Sequence, residues 1–117
     1  MTPTAFQAWT KTQDRKSGWE KLTTIQLVAH LFEEAGELAR SVNRTYEYRG
    51  DVQQEHEENI KVEITDVLWF VMKIANRFGV DVDQEVSSFM KRADTWPDER
   101  HSSKLEYALE SLKEELR

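Results

Sequence analysis

Between residues 20 and 78 the chain carries one strong turn signal, Tyr48-Arg49-Gly50-Asp51, and on both sides of it apolar residues recur every three or four positions. That period is helical, so two long helices joined by a tight turn are predicted rather than a sheet. One, the second helix of the chain, runs from about Glu20 to about Tyr46 and places Val28, Leu31, Phe32, Ala35, Leu38, Ala39 and Val42 on one face. The other, the third helix, is expected to be capped by Asp51 and to end near Phe78, with Gly79 in the left-handed C-terminal position. Ile60, Ile64, Val67, Val71, Ile74, Ala75 and Phe78 form its broad face, while Val62, Trp69 and Met72 add apolar surface elsewhere. Such a helix is wrapped on several sides. Gly36, in mid-helix, costs roughly 1 kcal/mol relative to alanine, so a close helix contact or a need for space is its expected reason.

Shorter helices complete the pattern. Thr2 as cap and Pro3 at the first helical position open one that carries Phe6 and Trp9 and fades before Ser17-Gly18, leaving a polar loop around Arg15 to Trp19. Asp81 or Asp83 starts another, with Val82, Val86, Phe89 and Ala93 at helical spacing, which stops before Trp96-Pro97. Ser102 or Ser103 caps the last, with Leu105, Ala108, Leu109, Leu112 and Leu116 inward and Glu106, Glu110 and Glu114 outward. The expected architecture is all-α: a helical bundle of four to five helices in one domain of 117 residues, with 98–117 as an accessory helix. The many-sided third helix predicts assembly into a homodimer or a dimer of dimers, a homotetramer.

Two pairs of acids stand out against this framework. Glu34 and Glu37 on the second helix, and Glu63 and Asp66 on the third, each share a helix face through a three-residue step and border apolar positions. Side by side, the two helices would gather about four negative charges next to an apolar core, a costly arrangement without a compensating cation. The four acids are therefore candidate Mg²⁺ ligands, and Mg²⁺ points to phosphate chemistry. The absence of cysteine removes disulfides, zinc-thiolate sites and cysteine nucleophiles, so oxygen and nitrogen donors must carry any chemistry. A formal charge of −6 opposes binding to a nucleic-acid polymer but not to a free nucleotide carried by a metal. The start MTPTAFQAW lacks a basic region followed by an apolar run, and no stretch reaches membrane-span length, so no membrane partner and a cytoplasmic location are expected.

The run EEAGE at 33–37, followed after 25 residues by EITD at 63–66, resembles the EExxE…ExxD signature of the all-α nucleoside triphosphate pyrophosphohydrolases, the MazG-like proteins related to dimeric dUTPases and dCTP pyrophosphatases. The likeness covers roughly residues 5 to 97 and includes the short aromatic N-terminal helix, the EAGELA context and DVLWFVMKIANRFGVD. It implies that Glu34, Glu37, Glu63 and Asp66 hold Mg²⁺, with Mn²⁺ able to substitute, and that Glu33 orients or deprotonates the attacking water. The implied reaction is hydrolysis of a nucleoside triphosphate, with deoxynucleotides preferred, to the monophosphate and pyrophosphate in nucleotide-pool cleansing. Metal ions would neutralise phosphate oxygens while a carboxylate accepts the proton.

Lys73 and Arg77 lie further along the strip of Asp66, where they could meet phosphate oxygens or pair with acids. Asn76 and Lys91 fall where family members supply polar substrate contacts. The family pattern of Lys, Asn and Tyr-Pro after the fourth helix is replaced here by Lys91, Asp94 and Trp96-Pro97 at shorter spacing. Trp19, in the polar loop before the acidic helix, is the expected stacking surface for a base, and Trp69 the expected packing or subunit contact. His30, one turn before Glu34, would touch substrate or stand as a hydrogen-bonded neighbour. The close enzymatic alternative is the phosphoribosyl-ATP pyrophosphohydrolase of histidine biosynthesis. A noncatalytic helical nucleotide-binding or interaction protein is the alternative of a different class.

Overall fold

A computed structural model describes residues 1–96 and 98–116, and side chains for all of these except 98–103. Five helices make up the described residues, α1 (Pro3–Ser17), α2 (Thr24–Glu47), α3 (Gly50–Arg77), α4 (Val82–Asp94) and α5 (Asp98–Leu116), with a 3-10 turn at Trp19–Lys21 and no strand. The all-α expectation is met. The chain divides into two compact units, Met1–Asp83 and Gln84–Arg117.

In the first unit α2 lies along α3, and α1 packs on α3 as well. The short link Tyr48-Arg49 folds α2 and α3 into a hairpin. Their ends are set by local chemistry. Thr2 Oγ1 accepts from the Ala5 amide and Pro3 opens α1 as expected. Gly18, at φ 86°, closes α1 with its amide on Asp14 O, an αL cap. At the far end of α3, Gly79 at φ 64° completes a Schellman motif, with Val80 N on Ala75 O at 3.0 Å and Gly79 N on Asn76 O at 3.5 Å.

Two boundaries move. The second helix begins at Thr24 rather than near Glu20, because Thr23 and Gln26 form a reciprocal capping box that cuts the 3-10 turn off from α2. The third helix begins at Gly50, one residue before the expected cap Asp51, which sits instead in the first turn where its charge suits the helix dipole. The described start of α5 is Asp98, ahead of Ser102 and Ser103, whose side chains lie outside the described residues, as does Pro97.

Leu27, Phe70, Met72 and Ala75 form the tightest core. Several residues assigned inward from periodicity are open instead: Phe32 is 73% exposed and Phe78 68%, with Ile64, Val71 and Val42 also exposed. Periodicity identifies an apolar face without saying what covers it, and within one chain α1 and α2 cover only part of α3. Among the described residues a Cβ on Gly36 would meet nothing within 4 Å, so no close contact there requires this glycine, and space is what it leaves.

In the second unit, Phe89 meets Trp96 edge-on at 6.0 Å, and the Lys104 ammonium stands 5.3 Å from the Trp96 ring. Leu105, Leu109, Leu112 and Leu116 of α5, expected inward, are exposed. No helix among the described residues is long and apolar enough to cross a membrane.

Candidate metal centre

The α2–α3 hairpin brings carboxylates from both helices to one point. Oxygens of Glu34, Glu37 and Glu63 all lie within 4.8 Å of one another, and all three side chains are half-buried. Oε2 of Glu34 and Oε2 of Glu63 are enclosed without a hydrogen-bond donor. An enclosed carboxylate oxygen without a donor or cation is unstable as an anion, and the local titration reflects this. Burial, then the charges of Glu37, Asp66 and Glu63, push the Glu34 carboxyl up to about 7. Burial and then Glu37 push Glu63 upward too. The same crowding of negative charge would favour a divalent ion, which would compete with protons for these oxygens.

The donor set fits a hard cation. Three carboxylates with two unpaired inward oxygens match the all-oxygen coordination of Mg²⁺ or Mn²⁺ and offer nothing to a thiophilic metal. Asp66 stands outside this tightest group, half-buried, yet its charge acts on both Glu34 and Glu63. Of the four acids chosen from spacing, three converge and the fourth flanks them.

Glu33, adjacent to Glu34 in the chain, has a side chain 62% exposed, with Oε2 3.5 Å from His30 Nδ1. His30 stacks on Phe70, centroids 5.5 Å apart and planes within 13°, and receives the edge of Trp19 at 5.4 Å. Trp19 also meets Trp69 at 6.0 Å and Phe70 at 5.5 Å, both edge-on. With Ser17, Gly18, Leu22 and His30 it lines an open depression at the foot of α2. The structure thus links Trp19, His30 and Glu33 in one continuous series of contacts.

The remaining residues have different surroundings. The Lys73 side chain is fully buried, paired with Asp14 of α1, and its ammonium lies 3.7 Å from the Trp69 ring centre and 4.5 Å from that of Trp19. Burial pulls its pKa down, with Asp14 opposing. Arg77 Nη2 donates to the carbonyls of Trp19, Glu20 and Leu22. Asn76 Nδ2 donates to Gln7 O at 3.2 Å. Lys91 is exposed on α4 in the second unit.

Sequence reading did not find Asp14 or Gln7. Gln7 Oε1 accepts from the Val82 amide at 3.1 Å and Nε2 donates to Val80 O, so this α1 side chain secures the Val80–Val82 segment that follows α3 within the first unit. Neither residue has a periodic or motif signal, since both partners are more than fifty positions away. The Thr23-Thr24-Ile25-Gln26 capping box did carry one, in its Thr-x-x-Gln pattern.

Two comparisons with known proteins agree with this geometry. The family model described as the MazG nucleotide pyrophosphohydrolase domain matches residues 22–101. The chain is also similar to the "Uncharacterized protein YpjD" of Bacillus subtilis (strain 168), 30% identical over 82 residues that cover 70% of this chain and 74% of that protein.

Proposed function

The chain belongs to the MazG nucleotide pyrophosphohydrolase family, and from that premise we propose that it hydrolyses nucleoside triphosphates, preferably deoxynucleotides, to the monophosphate and pyrophosphate with Mg²⁺ as cofactor. The observation that carries this reading is the meeting of Glu34, Glu37 and Glu63 with two enclosed oxygens lacking donors. These three residues, with Asp66 beside them, would hold the cation. A bound divalent ion would neutralise the triphosphate oxygens and favour ionisation of the attacking water.

The protein's own groups divide the other tasks. Glu33, exposed beside the cluster, accepts the proton of the attacking water. Its contact with His30 Nδ1 restricts the carboxylate to one side of α2. Trp19, set nearly perpendicular to His30 in the open depression that both line, offers an aromatic surface for the base. No covalent intermediate is needed, because positioning and charge stabilisation suffice for attack of water on a phosphoryl group.

The match at 22–101 runs from the first unit into the second, which supports reading residues 1–117 as one functional domain with 98–117 as an accessory helix. Exposed apolar side chains on α2 and α3, Phe32 and Phe78 among them, support a homodimer or homotetramer. A monomer in light scattering at micromolar concentration would contradict that assembly.

Pyrophosphate release from a panel of ribo- and deoxynucleoside triphosphates, with Mg²⁺ and with EDTA, tests the activity. The expected result is Mg²⁺-dependent release from the parent and little from Glu37→Gln or Asp66→Asn. Equal release by parent and variants would remove the metal role. Turnover of phosphoribosyl-ATP alone would select the histidine-pathway reaction.

A further inference from the structure

Lys73 and Arg77 continue the strip of Asp66 along α3, and phosphate would be the obvious partner for both. Their donors are directed elsewhere. One guanidinium nitrogen of Arg77 reaches three carbonyls in and just after the 3-10 turn, those of Trp19, Glu20 and Leu22, the first of which also accepts from the Leu22 amide. The Lys73 ammonium has no exposed surface, is paired with Asp14, and lies against the Trp19 and Trp69 rings. Trp19 is therefore held twice: its backbone by Arg77, and its indole by a desolvated cation attracted to its aromatic face.

We propose that Asp14, Lys73 and Arg77 are positioning residues for nucleobase recognition, acting through Trp19 rather than touching the triphosphate. Asp14, reaching from α1, compensates Lys73; Lys73 orients the Trp19 and Trp69 rings; Arg77 fixes the turn that presents Trp19 beside His30. Base affinity and selectivity then depend on a clamp built between α1 and α3, away from the carboxylates on α2. This inference rests on the assignment of Trp19 as the base surface of the hydrolase.

Equilibrium binding of deoxynucleoside triphosphates, by calorimetry with Ca²⁺ in place of Mg²⁺ to suppress turnover, distinguishes the roles in a double-mutant cycle of Trp19→Ala and Arg77→Ala. Near-UV circular dichroism follows the coupled Trp19–Trp69 pair in the same proteins. The expected loss for either single variant is about tenfold, the size of one base–aromatic stack, and Arg77→Ala adds little once Trp19 is gone. Arg77→Ala also diminishes the tryptophan dichroism and flattens the difference between bases, while Arg77→Lys restores part of each. Asp14→Asn, which keeps a side chain of similar shape, shifts the dichroism in the same direction.

Additive losses, with inorganic pyrophosphate binding weakened by Arg77→Ala, would overturn the proposal in favour of direct phosphate contact. Unchanged dichroism in Arg77→Ala would overturn it too. A parent that binds no nucleoside triphosphate refutes the hydrolase reading itself, whereas a parent whose Arg77 effect is independent of Trp19 refutes the clamp alone.

Discussion

Two charged clusters share helix α3 and are neutralised in opposite ways. At Glu63 the helix meets Glu34 and Glu37, like charges, and enclosed oxygens of Glu34 and Glu63 find no hydrogen-bond partner among the described residues. Ten residues on, Lys73 is buried more deeply yet fully provided for, by a carboxylate from α1 and two indole faces. The second arrangement is complete within the chain. The first would be completed by the cation proposed above, and the contrast sets a candidate ligand site against a pair that supports the fold.

The contrast can be broken most forcefully at the acids. Glu63→Gln should lower pyrophosphate release by at least about a hundredfold, since it removes an oxygen ligand from a three-carboxylate centre. The same change should leave the metal-free protein folded with an undiminished melting temperature, because it relieves repulsion. A variant that unfolds would make Glu63 a structural residue.

At the other cluster the signs reverse. Asp14→Ala should destabilise the protein by about 3–5 kcal/mol, the cost of leaving a buried ammonium unpaired. Urea unfolding measures it, and a change near zero would mean that the aromatic faces suffice. Exchanging both partners, Asp14→Leu with Lys73→Met, should recover much of the loss.

The pH dependence sharpens the comparison. A carboxyl whose pKa rises on folding binds its proton more tightly in the native state, so its contribution to stability is full below the unfolded value and is lost as pH rises through the folded one. For Glu34 that window runs from the ordinary 4.5 to about 7. The metal-free protein should lose stability across it, and Mg²⁺ should restore that stability with release of protons. Thermal unfolding at pH 5 and pH 8, with Mg²⁺ and with EDTA, would show the crossing; a Mg²⁺ effect equal at both pH values would contradict it. The smallest effect is expected at Gly36, where alanine meets no neighbour and should add about 1 kcal/mol of stability in chemical denaturation.

The acids were legible in the sequence because their signal is local: a three-residue step on each helix, beside apolar positions, is a property of the helix itself. The helices were legible for the same reason, and Gly79 because a left-handed cap has a residue preference. Asp14 and Gln7 were not, since a single polar residue on α1 acquires its role only when α3 is laid against it. Phe32 and Phe78 show the converse limit. Their periodicity marks an apolar face correctly, but whether that face is covered depends on surfaces that one helix does not specify.

Binding of Mn²⁺ followed by electron paramagnetic resonance tests most directly whether the carboxylates of α2 and α3 form a divalent-cation centre. The account predicts saturable binding to the parent at pH 8, competed by Mg²⁺ and lost in Glu63→Gln. Equal Mn²⁺ binding by the parent and by Glu63→Gln would contradict it.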